Sequence, residues 1–527
     1  MTRGILLIVL FAVVIVSGFL AVFQTEYANG WDGYYYLIQV QSLSNTGAMH
    51  SPEYSPVYLP IIALHAVTGN YITSFKISVV LIKVLFVLSV FTLSLSLLRS
   101  TSGTDRRTAF YTALIAGALS AMSPSLNYFF AQFPKNLLGF AFFFFAISSV
   151  YSTSRSWKRR QSSPSSHQAI PNRSLIVRIL GVLLLFIATY FTHRFTAVLS
   201  LCFLVLYFAT AGKRLFLILF VSLLVLLTLS SILSVAFSFY DLEVITSNFS
   251  PIPIFVPASF IQNFGAFKLT SAWIAEICLA GALPLITGIL LLCRNRFNFL
   301  RLGREYYILI MIGLTGLFPF FRFSLTGLSY RLFFATLLIL PLICIPYIRM
   351  CVRKIINFRH SGSESGREAI LVLFFLVLVA SSLYTGRSYN PEVHDPPYAF
   401  YDELAGEAAQ ALSGRNCELI IAHKALAEMI TFRYEIDALP WSPEEYFQRD
   451  RVWRITAGIL RDEISYYLSP ETADNYYIGL SGDYGLLRED HWEAFLDSIA
   501  NDPVMLEAVH TWRNPLEQRP AYMRKDR

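Results

Sequence analysis

The apolar run from Ile5 to Phe23 is followed, five residues later, by Asn29-Gly30-Trp31-Asp32-Gly33-Tyr34-Tyr35-Tyr36-Leu37. The first run matches the roughly 20 residues that cross a ~30 Å hydrocarbon core. It is longer than the apolar part of a usual signal peptide, and no clean Ala-x-Ala site follows it. It therefore reads as a signal anchor. The second segment begins a long loop, about residues 24–70, before the next apolar run. Leu37, Val40 and Leu43 lie on one face of a short helix, which Asn45-Thr46-Gly47 ends. Pro56-Val57-Tyr58-Leu59-Pro60-Ile61-Ile62-Ala63-Leu64-His65 is apolar but too short to span, so a second helix lying in the interface is expected.

Composition agrees with this beginning. Apolar residues make up 55% of the 527 and charged residues 15%, against roughly 25% charged in soluble domains. Mean hydropathy is +0.52. A soluble enzyme, a disordered scaffold and a secreted disulfide-rich domain are excluded. Further runs give about eleven spans: 4–23, 71–98, 108–125, 136–151, 175–191, 195–211, 214–239, 270–293, 305–320, 331–348 and 368–385.

The net charge of +7 divides into +18 over residues 1–385 and −11 over 386–527. The expected organisation is a polytopic helical membrane domain, 1–385, and a soluble domain, 386–527. The basic residues occupy short loops, which argues for topology rather than nucleic acid. With the N-terminus inside, the inside segments hold twenty-one Lys and Arg. The outside loops hold five: Lys135, Arg194, Lys268, Arg322 and Arg331. An odd number of spans then puts the C-terminal domain outside. Its pattern reads as α/β: a strand over Cys417–His423, helices within 444–468 and 490–499, and strands at 476–480 and 504–509. His423 and His491 read as structural. Trp441, Trp453, Trp492 and Trp512 read as core residues or as platforms for sugar rings. Of the six cysteines only Cys417 lies in this domain, so it holds no internal disulfide and no cysteine zinc site.

Three acids, Glu26, Asp32 and Glu53, lie in the first loop. Asp32 admits two readings. It could cap the helix that follows, with Trp31 and Tyr34–Tyr36 forming an aromatic belt. Or it could be a partly desolvated carboxylate serving as a base. Lys83 lies ~18 Å into the second span at 1.5 Å per residue. It must pair, face a cavity or lose its charge. Glu276 in the eighth span is its expected partner by depth; lining a donor pocket is the other reading.

The order of features resembles the GT-C superfamily of integral-membrane glycosyltransferases, which includes the protein O-mannosyltransferases, the aminoarabinose lipid A transferase and the oligosaccharyltransferase catalytic subunit. The matching text is Trp31-Asp32-Gly33-Tyr34-Tyr35-Tyr36-Leu37, then Asn45-Thr46-Gly47, then Ser55-Pro56-Val57-Tyr58-Leu59-Pro60. The resemblance implies transfer of a sugar from a polyprenyl-phosphate donor to a glycan, lipid or protein acceptor at the outer face of a bacterial or archaeal plasma membrane. It implies that Asp32 is the loop-one carboxylate, with Glu53 as a second acid, and that Trp31, Tyr34 and Tyr35 stack on substrate. A donor phosphate needs fixed cations: Arg331 first, then Arg322, with Arg194 and Lys83 as further candidates. For each arginine the alternative is interfacial snorkelling. Many family members carry a second acid beside the first. Gly33 and Tyr34 stand there instead, which weakens the case for a metal on Asp32, Asp241 or Glu243. A lipid or solute transporter and a non-catalytic scaffold displaying the acidic domain remain the other classes.

Overall fold

The structure, a computed structural model, describes residues 3–50, 55–100, 104–162, 172–193, 337–357 and 364–387. It also describes pieces of 196–203 and 276–286, the pairs 254–255 and 321–322, and, further on, 389–391, 395–396, 398–399, 401–402, 405–406, 419–422, 424–434, 438–440, 452–454, 456–460 and 463–467. Packing divides the chain into two units. One comprises Met1–Thr25, Glu53–Thr68 and Lys76–His394; the other comprises Glu26–Pro52, Gly69–Phe75 and Asp395–Arg527.

Among the described residues, the first unit is helical apart from one short pair of strands. Helices α1 (Arg3–Val22), α4 (Tyr71–Ser100, entering this unit at Lys76) and α7 (Pro134–Ser162) are long and apolar enough to cross a membrane. So is α10 (Glu364–Arg387), which follows α9 (Ile345–Asn357). α3 (Tyr58–Thr68) is the short apolar helix expected of the first loop, with Leu59 and Val67 exposed. α8 (Asn172–Thr192) matches the fifth expected span. The expected spans 214–239 and 305–320 lie outside the described residues, as does nearly all of 195–211 and 270–293.

Two expectations are corrected. The third run does not end in a loop: α5 (Arg106–Met122) breaks at Ser123 and continues as α6 (Pro124–Gln132), bent by 63°. Ser123 Oγ accepts from the Leu126 N–H at 3.0 Å, and Pro124 occupies the first turn, so a new helix starts at the end of the expected 108–125 span and runs through what was read as a loop. The tenth run, expected over 331–348, turns at Cys344 and continues as α9 through what was read as an inside loop. α9 buries Ile345 and Val352 while Arg353 and Lys354 are exposed, so its helical register follows amphipathicity rather than uniform hydropathy.

Several helix ends meet. Arg3 lies over the Phe110 ring at 5.5 Å, joining the starts of α1 and α5. Arg107 pairs with Glu368 at 2.8 Å, joining the starts of α5 and α10. Arg155 donates to the Ser96 carbonyl at 3.0 Å near the ends of α7 and α4. Packing between α1 and α10 is close: a Cβ on Gly386 would lie 2.5 Å from the Ser17 carbonyl oxygen. No side chain fits there without moving the helices apart.

Among the described residues, the second unit holds α2 (Gly33–Thr46), the first turn of α4, α11 (Lys424–Tyr434) and five strands. β3 (Leu419–Ala422), the expected 417–423 strand, is central, with β4 (Ala438–Pro440) and β5 (Val452–Arg454) parallel on either side. α11 connects β3 to β4, as a parallel pair requires a crossover. β6 (Thr456–Leu460) and β7 (Glu463–Tyr467) form an antiparallel hairpin with Leu460 opposite Glu463. Three strands thus replace helix within 444–468. Val452, Trp453, Thr456, Ile459, Ile464, Tyr466 and Tyr467 are β-branched and aromatic residues that pack better on a pleated surface than in a helix. The 476–480, 490–499 and 504–509 elements lie outside the described residues.

Two substitutions test these helices. Gly386→Val should lower stability by about 1–3 kcal/mol through overpacking, read by thermal unfolding in detergent. Asp105 caps α5, accepting from the Arg107 and Thr108 N–H groups at 2.9 and 2.8 Å and from Thr108 Oγ1 at 2.6 Å. Partial burial alone would raise its pKa; these hydrogen bonds, led by those of Thr108, prevail and hold the carboxyl below its ordinary value. Its contribution is therefore present above the unfolded carboxyl value of about 3.9 and is lost as pH falls through the lower folded one. Asp105→Ala should cost about 1 kcal/mol near neutral pH, and the gap to wild type should close on strong acidification.

Candidate active site

The loop-one aspartate stands on a turn that the sequence builds tightly. The Gly33 N–H donates to the Gly30 carbonyl at 3.2 Å. Gly30 has φ +81°, where a side chain would be strained. Asp32 has φ −102° and ψ 9°, the values of the third residue of a type I turn. Asp32 occupies the cap position of α2, but its side chain makes no capping hydrogen bond. It is half-buried. Gly47, with φ +74°, ends the helix as expected.

A residue that the sequence did not single out fixes this turn. Asp395, 6% exposed, accepts the Gly30 N–H on Oδ1 at 3.0 Å and the Asn29 amide on Oδ2 at 3.2 Å. The Tyr398 hydroxyl donates to the Gly30 carbonyl at 2.6 Å. Tyr398 is buried among Tyr34 at 5.0 Å, Tyr27 at 6.2 Å and Tyr401 at 6.5 Å. Burial, and then the nearby carboxylates Glu428, Asp395 and Asp32, push its phenol well above the ordinary value. The one signal in the sequence is the stiff run Asp395-Pro396-Pro397-Tyr398 after the last span, since prolines limit the conformations of the residues beside them.

Of the expected stacking residues, Tyr34 is fully buried against Tyr398 and, at 5.6 Å, Phe432. Burial pushes its phenol up to about 12, with Arg433 acting in the opposite direction. Trp31 and Tyr35 are half-buried. Arg433 pairs with Asp402 at 3.1 Å and lies 5.6 Å from the Tyr27 ring centre.

In the first unit, Lys83 is fully buried. The ion pair expected with Glu276 does not form. Lys83 Nζ donates to Ser17 Oγ at 2.9 Å and Asn127 Oδ1 at 2.6 Å, and lies 4.6 Å from the Phe130 ring centre. Glu276 instead accepts from the Ser125 N–H at 3.0 Å, Ser125 Oγ at 2.6 Å and Ser123 Oγ. Its carboxylate thus sits at the positive end of α6, the end that the break at Ser123 created. Only the hydroxyl and amide residues could have suggested this, because depth alone does not say which helix faces which.

Arg322 lies in β2 (Phe321–Arg322), antiparallel to β1 (Ile254–Phe255), with Ile254 opposite Arg322. Two loops expected on the outer side therefore meet. Glu53, Arg194, Asp241, Glu243 and Arg331 lie outside the described residues. Among the described residues, no three His, Cys, Asp or Glu side chains converge as a metal site would need.

No protein-family model matches the chain, and no curated protein matches it. Solved structures of the Archaeoglobus fulgidus oligosaccharyltransferase are similar. The form tethered to an acceptor peptide containing the NVT sequon aligns with 82% of this chain at 12% identity and TM-score 0.45. The apo form aligns with 84% at 12% identity and TM-score 0.46. The archaeal oligosaccharyltransferase AglB with an inhibitory peptide and a dolichol-phosphate aligns with 85% at 13% identity and TM-score 0.39. The chain spans 64–65% of the length of these proteins. A likeness at this level does not fix an activity.

A helix-locking role for Lys83 is measurable. In a double-mutant cycle, Lys83→Met and Asn127→Leu should each destabilise the protein in detergent. The coupling should fall within the roughly 0.5–3 kcal/mol seen for directly contacting residues. Additive effects would contradict the contact.

Proposed function

We propose that the chain is a membrane glycosyltransferase that moves a sugar from a polyprenyl-phosphate donor to an acceptor at the outer face of the membrane. In this reading about eleven spans carry an extracytoplasmic α/β domain over residues 386–527, with the N-terminus inside. The observation that carries it is the fixed turn at Asp32, a half-buried carboxylate placed directly after the first apolar run, inside the motif that resembles the GT-C superfamily.

Asp32 takes the proton of the acceptor, or holds its nucleophilic atom, as that atom attacks the anomeric carbon and the bond from that carbon to the donor phosphate oxygen breaks. Glu53 supplies a second carboxylate from the same loop. The departing phosphate carries the developing charge, which Arg331 stabilises, with Arg322 and Arg194 as further cations. The ladder that sets Arg322 opposite Ile254 supports a gathering of outer loops. A metal held by Asp32 with Asp241 or Glu243 is a subordinate part of this reading. A transporter would draw on Lys83 and Glu276, but each has hydroxyl or amide partners within the helices, as helix-locking polar groups do.

The test is sugar transfer from a polyprenyl-phosphate-sugar by the full chain in liposomes. Asp32→Asn should lower the rate by at least about 10²-fold, and Arg331→Ala should lower it more for donor than for acceptor use. Equal rates for wild type and Asp32→Asn would refute the role of Asp32. Equilibrative solute uptake without transfer would favour transport.

A further inference from the structure

We propose that Asp395 is a positioning residue for Asp32, acting through the backbone of Asn29 and Gly30; this rests on the reading of Asp32 given above. The geometry is specific. One carboxylate oxygen takes the Gly30 N–H and the other the Asn29 amide, at 3.0 and 3.2 Å. Tyr398, three residues on, takes the carbonyl of the same Gly30 at 2.6 Å. Both polar groups of the Gly30 backbone are thus held from one short segment, and Asp32 is the third residue of the turn that Gly30 begins. The Asp395 carboxyl is buried and accepts both hydrogen bonds, one on each oxygen. Both of its oxygens are engaged with the turn.

The role predicts an unusual order of substitutions. Asp395→Ala removes both acceptors and frees the turn. Asp395→Asn keeps one oxygen for the Gly30 N–H and turns an NH2 toward Asn29. The Asn29 amide can then turn over, because its Oδ1 is buried and has no hydrogen-bond partner among the described residues. That oxygen accepts from the new NH2. The neutral variant therefore keeps the geometry, whereas a carboxylate needed for its charge could not be replaced.

The experiment uses the full chain in liposomes and in detergent. Two quantities are read: sugar-transfer kinetics, and hydrogen–deuterium exchange of the peptide covering residues 28–36. For Asp395→Ala the expected result is a fall in kcat of up to about 10²-fold, as for a misplaced catalytic group, with KM nearly unchanged and faster exchange in that peptide alone. Asp395→Asn should stay near wild type in both. An unchanged Asp395→Ala protein, or an Asp395→Asn protein as impaired as Asp395→Ala, overturns the proposal. Should Asp395→Ala fail to fold, Tyr398→Phe removes only the hydroxyl on Gly30 and should give the same pattern in milder form; unchanged exchange there counts against the clamp. Exchange does not depend on turnover. If Asp32→Asn retains full activity, the enzyme reading falls while the exchange data still decide whether Asp395 holds the turn.

Discussion

An ammonium group inside an apolar helical bundle has to be solvated by protein, and the helical unit is arranged around that demand at Lys83. Its partners come from α1 and α6, so one side chain of α4 sets the approach of two other helices. α6 can present Asn127 there because the apolar run is broken at Ser123-Pro124. The break in turn exposes backbone N–H groups, and Glu276 supplies the negative charge that such an end attracts. Cation and anion are therefore stabilised separately, each by hydroxyl or amide groups, instead of by one another. Pairing would discard the hydrogen bonds that position α6.

The second unit works by the same principle with backbone rather than charge at its centre. Gly30 is needed because the turn requires a positive φ. A glycine without restraint would be the loosest point of the loop. Asp395 and Tyr398 remove that looseness, and Asp32 inherits the rigidity. Aromatic rings around Tyr34 and Tyr398 complete the packing and keep water from competing for the turn's hydrogen bonds.

Hydropathy made α1, α4, α7, α8 and α10 legible, because a membrane span needs only length and apolarity. The two helices of the first loop were legible for a different reason: apolar spacing in α2, and an apolar run too short to span in α3. Hydropathy ended the third run near Ser123-Pro124-Ser125 but did not show that a new helix starts there, and it was blind to the turn at Cys344, which lies inside an apolar run. It also misled over 444–468, where tertiary pairing selects strands from residues that tolerate both states. Among the candidate residues, Asp32 could be singled out from its position after the first apolar run. Asp395 could not: its meaning depends on a partner 365 residues earlier in the chain, and the prolines beside it mark only a stiff segment.

That separation has a consequence for biogenesis. Ribosomes add roughly 5–20 residues per second, so the stretch between Gly30 and Asp395 takes on the order of 20–70 s to emerge. Throughout that interval the first loop exists without the carboxylate that shapes it. A nascent chain released before the last described apolar helix would carry that turn unrestrained, and its geometry would be fixed only in a single late step.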